Sequence, residues 1–331
     1  MSNNYLPTDY QAFIHTSRYA RWLEKENRRE TWPETVCRYM DNVVKPIVIM
    51  KSEFKKIEDM ILNLSVMPSM RAMMTAGPAL DRDHTAGYNC SYLPVDDPKA
   101  FDEAMYILLC GTGVGFSVER QYIQNLPEVP ELSDSDTTIV VKDSKEGWAK
   151  GLRQVLALLW AGEIPKWDVS QIRPSGARLK TFGGRASGPA PLIDLFNFAV
   201  NTFKTAAGRR LSSLECHDLM CYIGQIVVVG GVRRSAMISL SNLSDGRMRH
   251  AKSGNWWETA GHRALANNSV CYTEKPDSET FLREWLSLVE SKSGERGVFN
   301  RQACKALAIR NDRRDPNHEF GTNPCSEISL R

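Results

Sequence analysis

The segment Asn323-Pro324-Cys325-Ser326-Glu327 places an amide, a thiol and a carboxyl within five residues. Pro324 steers Asn323 away from helical geometry, so the segment reads as a tight extended loop. A short loop cannot bury such groups unless they have partners, which makes a core-filling role poor. A cysteine with an adjacent acid suggests a nucleophile. The segment contains no histidine to make a thiolate, however, and Glu327 would raise rather than lower the thiol pKa. A neutral thiol that loses a hydrogen atom fits the local charge better, and one-electron chemistry of that kind requires a cofactor or radical source.

Other motifs divide between chemistry and scaffold. Gly230-Gly231-Val232-Arg233-Arg234-Ser235-Ala236 follows a very apolar helix and precedes a strand. It reads equally as a helix C-cap with solvated arginines or as a loop whose guanidinium groups contact phosphate or nucleobase. Gly111-Thr112-Gly113-Val114-Gly115 is not a dinucleotide fingerprint. A helix precedes it, a strand follows, and Phe116 occupies the third glycine's place. Its glycines suit close approach of backbone to another segment or a ligand. Cys216, His217 and Cys221 read as residues that happen to share a helix, because five-residue spacing does not put both thiols on one face. No CxxC pair, P-loop or HExxH motif occurs, so no metal site is expected.

The elements that must position these groups follow from periodicity. The segment through Leu64 reads as helices, with Pro33 in a first turn and Phe54, Ile57, Ile61 and Leu64 at helical spacing. After Gly77 short apolar runs alternate with helices, as in an α/β domain. Strands are expected at Tyr88–Leu93, Gly115–Val118, Met237–Leu240 and Ser269–Tyr272, with Val298-Phe299-Asn300 a further apolar run. Helices are expected after Asp97-Pro98, after the Ser144 cap, from Pro191, after the Ser212/Glu215 capping box, and after Asp277 or Ser278. Asn125–Lys142 reads as an exposed insertion, Asp245–His262 as a polar hairpin or loop, and the stretch after Asn300 as basic and polar.

Composition narrows the class. The chain has 331 residues, 42% hydrophobic and 24% charged, which supports a folded core. A net charge of 42 − 39 = +3, with signs interspersed, gives no reason to expect nucleic acid or an anionic membrane as partner. No apolar run approaches a membrane span and no secretory leader is visible, so the protein reads as soluble and cytoplasmic.

The chain resembles the ribonucleotide reductase large-subunit family, and within it the adenosylcobalamin-dependent (class II) ribonucleoside-triphosphate reductases of the monomeric type. The resemblance is carried by Tyr19-Ala20-Arg21-Trp22-Leu23, Pro68-Ser69-Met70-Arg71, Asn89-Cys90 and Gly113–Val118. It continues through Asp168–Pro174, Gly183–Pro189, Val232–Ala236, Asn267-Asn268-Ser269-Val270 and Gly321–Leu330. It implies that Cys325 becomes a thiyl radical and takes the ribose 3′-hydrogen, that Glu327 is base to the 3′-hydroxyl, and that Asn323 holds the ribose hydroxyls. Cys90 matches one of two cysteines that reduce the 2′-carbon and end as a disulfide. Ser69 and Asn268 resemble substrate-pocket positions, and Gly230–Ala236 matches the loop linking a dNTP specificity effector to the substrate base.

The implied fold is α/β: a helical N-terminal region at 1–76, then at 77–331 the first half of a ten-stranded reductase barrel. That half carries an effector insertion at about 120–190 and a finger-loop tip at 321–331. The implied partners are a ribonucleoside triphosphate, adenosylcobalamin, thioredoxin or a similar dithiol, and a C-terminal reductase polypeptide. That polypeptide would supply the cysteine pairing with Cys90, the substrate-phosphate loop and most of the cobalamin site. The chain is accordingly expected to be the N-terminal part of a split or truncated enzyme, inactive without that part. The family usually has glycine where Ser326 stands. A non-catalytic dNTP-binding protein and a thiol oxidoreductase using Cys90 and Cys325 are the competing readings.

Overall fold

The computed structural model describes residues 5–177, 185–229, 236–312 and 314–331. It divides into two compact units, Met1–Asn89 and Cys90–Arg331. The first contains helices α1 (Asp9–Ile14), α2 (Trp32–Tyr39), α3 (Lys51–Leu62), α4 (Met70–Thr75) and α5 (Pro78–Arg82), and a hairpin of β1 (Trp22–Leu23) with β2 (Arg28–Arg29). Pro33 lies in the first turn of α2, whose start is closed by a Thr31–Glu34 capping box. Trp32, Val36, Ile61 and Met73 form its core. Beside that core Arg38 pairs with Glu30 at 2.8 Å and donates to the carbonyls of Met73 and Ala76, tying α2 to the C-terminal end of α4. α5 and the turn at His84–Gly87 pack with α4, so the structural division falls at Asn89–Cys90 rather than at Gly77, where the sequence pattern changes.

The second unit runs β3 (Cys90–Pro94), α6 (Lys99–Leu109), β4 (Gly113–Ser117), α7 (Arg120–Ile123), β5 (Ser133–Val140), α8 (Lys145–Trp160), β6 (Glu163–Asp168), α9 (Ala190–Ala206) and α10 (Ser213–Val229). It continues with β7 (Met237–Asn242), α11 (Gly246–Arg249), α12 (Trp256–Thr259), β8 (Ala266–Tyr272), α13 (Ser278–Ser291), β9 (Gly297–Asn300), α14 (Arg301–Asn311), β10 (Gly321–Thr322) and β11 (Ser329–Leu330). Among the described residues β3-β4-β7-β8-β9 form one five-stranded sheet in that order, every neighbouring pair parallel. This is the mixed α/β fold with a parallel sheet that the sequence implies.

Alternation along the strands assigns the two faces of the sheet. Val114, Phe116, Met237 and Ala266 point into the main core, where α6, α8, α9 and α10 cover them. The helices form where the sequence places their caps: the Ser144 hydroxyl accepts from Gly147 N at 2.9 Å, and Glu215 reaches back to Ser212 N at 2.8 Å. The opposite face carries Cys90, Tyr92, Gly113, Gly115, Ile238 and Leu240. Against it lies the β10–β11 hairpin, paired antiparallel with Gly321 opposite Leu330 and Thr322 opposite Ser329.

Three polar stretches are more regular than their composition suggests. Asn125–Lys142 contains β5, which pairs in parallel with β6 and buries Ile139. Asp245–His262 forms α11, α12 and the start of a 3₁₀ turn instead of a hairpin. The basic stretch after Asn300 is α14, capped by the Asn300 side chain accepting from Ala303 N at 2.9 Å. In each, tertiary packing or a local cap overrides weak propensity.

Hairpin and sheet meet through glycines. A Cβ on Gly115 would lie 1.7 Å from the Thr322 carbonyl oxygen and 3.3 Å from Ile238, so only glycine admits the hairpin backbone here. A Cβ on Gly321 would fall 2.0 Å from the Tyr92 ring. Gly115→Ala is therefore expected to displace the hairpin and cost about 1–3 kcal/mol, the usual range for overpacking, read as a lowered urea midpoint with an unchanged m-value.

Candidate active site

The tip of the hairpin, Asn323–Ile328, is closed by its own polar groups. Asn323 N donates to the Ile328 carbonyl at 3.3 Å, Ile328 N donates to Asn323 Oδ1 at 2.9 Å, and Ser326 N donates to the Asn323 carbonyl at 3.0 Å. With its oxygen occupied by Ile328, the buried Asn323 amide turns its nitrogen to Cys90, donating to Sγ at 3.2 Å. Pro324, also buried, packs where a Cβ on Gly113 would lie, 2.9 Å from its Cγ. Beyond Pro324 the chain turns outward, leaving Cys325, Ser326 and Glu327 exposed. Ser326 makes this turn at φ +64°, the left-handed region in which glycine is at ease and an L-residue is strained. Glycine, which the resembled family usually has at this position, would take this conformation without strain.

The electrostatics favour a protonated thiol. Local desolvation, then the Glu327 carboxylate, then the Cys90 thiol push Cys325 above its ordinary value of 9.0. The effect of Glu327 has the direction expected from its adjacency in sequence. At neutral pH Cys325 is accordingly a thiol, suited to giving up a hydrogen atom rather than to attacking as an anion. Behind the tip, burial pushes the Tyr92 hydroxyl well above its ordinary value.

The root of the hairpin is held by charge. Arg301, the first residue of α14 and 1% exposed, donates from Nε to the Phe320 carbonyl at 2.7 Å. Its two terminal nitrogens grip Glu119, fully buried just past β4, at 3.0 and 2.6 Å. Glu119 also accepts from the Ser117 hydroxyl at 2.8 Å and from Gln121 at 3.0 Å. Neither residue stands out in the sequence: Arg301 lies in a basic stretch and Glu119 at a strand end, and only their common burial identifies them.

Of the residues singled out from sequence, Asn323, Cys325, Glu327 and Cys90 come together at the tip. Ser69 lies in the N-terminal unit, where it is exposed and caps α4 by accepting from Ala72 N. Asn268 does not reach this face. Its register with Ser239, itself paired with Phe116, puts it on the helix-covered side of the sheet, 2% exposed, while its neighbour Asn267 shares the hairpin's face. A strand period of two turns a one-residue difference into opposite faces, so Asn267, not Asn268, lies on the hairpin's side of the sheet. Gly230, Gly231, Val232, Arg233, Arg234 and Ser235 lie outside the described residues. Ala236, the last of that loop, accepts from Val114 N at 3.0 Å beside Gly113. Cys216, His217 and Cys221 are all buried, and no group fit to hold a metal ion occurs among the described residues. Burial lowers His217 to about 3, keeping it neutral in the core.

Comparison with known proteins points to one group of enzymes. Residues 118–203 match a family model described as the insertion domain of B12-dependent ribonucleotide reductase. Adenosylcobalamin-dependent ribonucleoside-triphosphate reductases of Lacticaseibacillus paracasei and Levilactobacillus brevis are each 28% identical, across 94% of this chain and 51% of their own length. A crystal structure of a B12-dependent (class II) ribonucleotide reductase superposes with a TM-score of 0.78 at 25% identity, covering 96% of this chain and 53% of that one. The chain spans about half the length of the curated relatives it matches.

Two measurements probe the tip. The iodoacetamide alkylation rate of Cys325, followed by peptide mass spectrometry, should rise only above the ordinary thiol value of 9.0, and Glu327→Gln should move that rise to lower pH. An unchanged profile in the variant would mean that the carboxylate does not act on the thiol. Ser326→Gly should stabilise the fold by about 0.5–1 kcal/mol, the left-handed strain relieved less the added freedom of glycine in the unfolded chain, read from urea unfolding.

Proposed function

We propose that this chain forms the N-terminal half of a ribonucleotide reductase that converts ribonucleoside triphosphates to 2′-deoxyribonucleoside triphosphates through a thiyl radical on Cys325. The observation that carries the reading is the contact of Asn323 with Cys90, which brings residues 233 positions apart together beside an exposed, protonated thiol. The radical on Cys325 would take the 3′-hydrogen of the ribose. The Glu327 carboxylate would accept the 3′-hydroxyl proton while the Asn323 amide orients the sugar hydroxyls. Loss of the 2′-hydroxyl as water leaves a carbon that needs two electrons, and Cys90 with a second thiol would supply them and close to a disulfide. Thioredoxin or a similar dithiol would reopen it.

Adenosylcobalamin supplies the one-electron oxidation that creates the radical. Fit to such a group rests on Cys325: its side chain stands clear of the sheet on an exposed turn, open to a large neighbour, and it keeps the hydrogen atom that must leave. The second redox thiol, the substrate-phosphate loop and most of the cobalamin site would come from the region equivalent to the relatives' second half, on the same or a separate polypeptide. The insertion at about 120–190 and the loop Gly230–Ala236, with Arg233 and Arg234, would bind a dNTP effector and relay its identity to the substrate base.

The test is CTP reduction with adenosylcobalamin and a dithiol, by residues 1–331 alone and together with a reductase C-terminal half. Turnover is expected only in the combination and should be abolished by Cys325→Ser. Robust turnover by 1–331 alone would overturn the need for a second half. No turnover in either arm, with dNTP still bound, would replace the proposal with a nucleotide-binding protein lacking chemistry.

A further inference from the structure

We infer that Arg301 is a positioning residue for Cys325, acting through the Phe320 carbonyl at the root of the hairpin; the assignment rests on the reductase reading. The hairpin cannot place its own tip. Each of its strands has two residues, and a paired ribbon that short is not independently stable. The tip is fixed only if its root is fixed, because the five residue-to-residue steps from Phe320 to Cys325 span at most about 17 Å and transmit any slip at the root.

Arg301 supplies that anchor in a way few side chains can. Its fork makes three directed bonds at once: Nε to the Phe320 carbonyl at 2.7 Å, and the two terminal nitrogens to Glu119 at 3.0 and 2.6 Å. Glu319 adds a fourth contact at 3.1 Å, from the residue preceding Phe320. Glu119 is held in turn by the hydroxyl of Ser117, the last residue of β4. The root of the hairpin is thereby tied to the strand whose Gly115 and Gly113 receive Thr322 and Pro324. The anchor of the root lies two residues beyond the strand that forms the slot, so the span from Gly113 to Glu119 sets where the hairpin's tip is held beside Cys90.

Lysine at 301 keeps the charge but has one ammonium in place of a planar fork, and it cannot serve Glu119 and the Phe320 carbonyl in the same geometry. The experiment compares wild type, Arg301→Lys, and the double variant Arg301→Met/Glu119→Gln. The double variant removes both buried charges together and leaves neither orphaned, while the amide that replaces the Glu119 carboxylate still has Ser117 and Gln121 for partners. Hydrogen exchange is read on peptides covering 320–331, β4 and α10. Turnover and KM for CTP are read with the C-terminal half present.

In both variants, amides of the 320–331 peptides should exchange at least tenfold faster while those of β4 and α10 stay within twofold of wild type. Turnover should fall at least tenfold with KM within twofold. Finger exchange within twofold of wild type, or an equal acceleration in β4 and the finger, would overturn the assignment and leave Arg301 a stability residue. If wild type shows no reductase activity, the reductase reading fails, and the exchange pattern alone still decides whether Arg301 fixes the hairpin.

Discussion

The Thr322 carbonyl occupies the space where a side chain on residue 115 would stand, and the rest of the site is arranged around that backbone-to-backbone contact. A polar hairpin laid on a sheet face has neither the length nor the apolar surface to hold itself there. It is held by shape, through Gly115 and Gly113 on one side and Gly321 under the Tyr92 ring on the other. Shape without attraction would not suffice, and the attraction sits at the root, in the buried Arg301–Glu119 pair. Burial of a guanidinium opposes its charge, and the paired carboxylate more than offsets that, so Arg301 stays protonated throughout the accessible pH range.

This arrangement explains how a tip can be exposed and ordered together. Asn323 and Pro324 are buried, the first hydrogen-bonded to Cys90 and the second packed on Gly113, and the next three residues are exposed. The transition is made at Ser326 in a left-handed turn, closed by Ser326 N on the Asn323 carbonyl. Asn323 is the pivot. Its oxygen serves the hairpin through Ile328 and its nitrogen serves Cys90, so one amide both completes the turn and sets the relation of the two thiol-bearing segments. An apolar residue there would lose both bonds, and an aspartate would put an anion beside two thiols.

Legibility in the sequence followed the range of the interactions. Local signals were clear: the caps at Ser144, Ser212 and Asp277 open the helices they mark, and the apolar runs at Met237 and Ser269 lie in neighbouring strands. The glycines of 111–115 were readable as sites of close approach, but nothing local could say that Thr322 is what approaches. Arg301 and Glu119, 182 residues apart, carry no periodic or motif signal and acquire meaning only through shared burial. Asn268 shows the converse case. A resemblance places a residue in a segment, while register decides which face it serves, and here the finger's face receives Asn267.

The same geometry bears on how an effector loop would influence chemistry. Ala236 is the last residue of the segment 230–236 and directly precedes β7, and its carbonyl accepts from Val114 N in the neighbouring strand. That carbonyl lies 3.3 Å from where a Cβ on Gly113 would be, and the Pro324 ring lies 2.9 Å from the same point. Residue 113 is thus the place where the end of the loop and the neck of the finger are both in reach, with no side chain between them. A shift of Ala236 would reach both the hydrogen bond to Val114 and the gap at Gly113, and the second leads directly to the residue before Cys325. Coupling between an effector and the thiol would then need no side chain beyond the Pro324 ring, because that ring and the Ala236 carbonyl both adjoin one glycine.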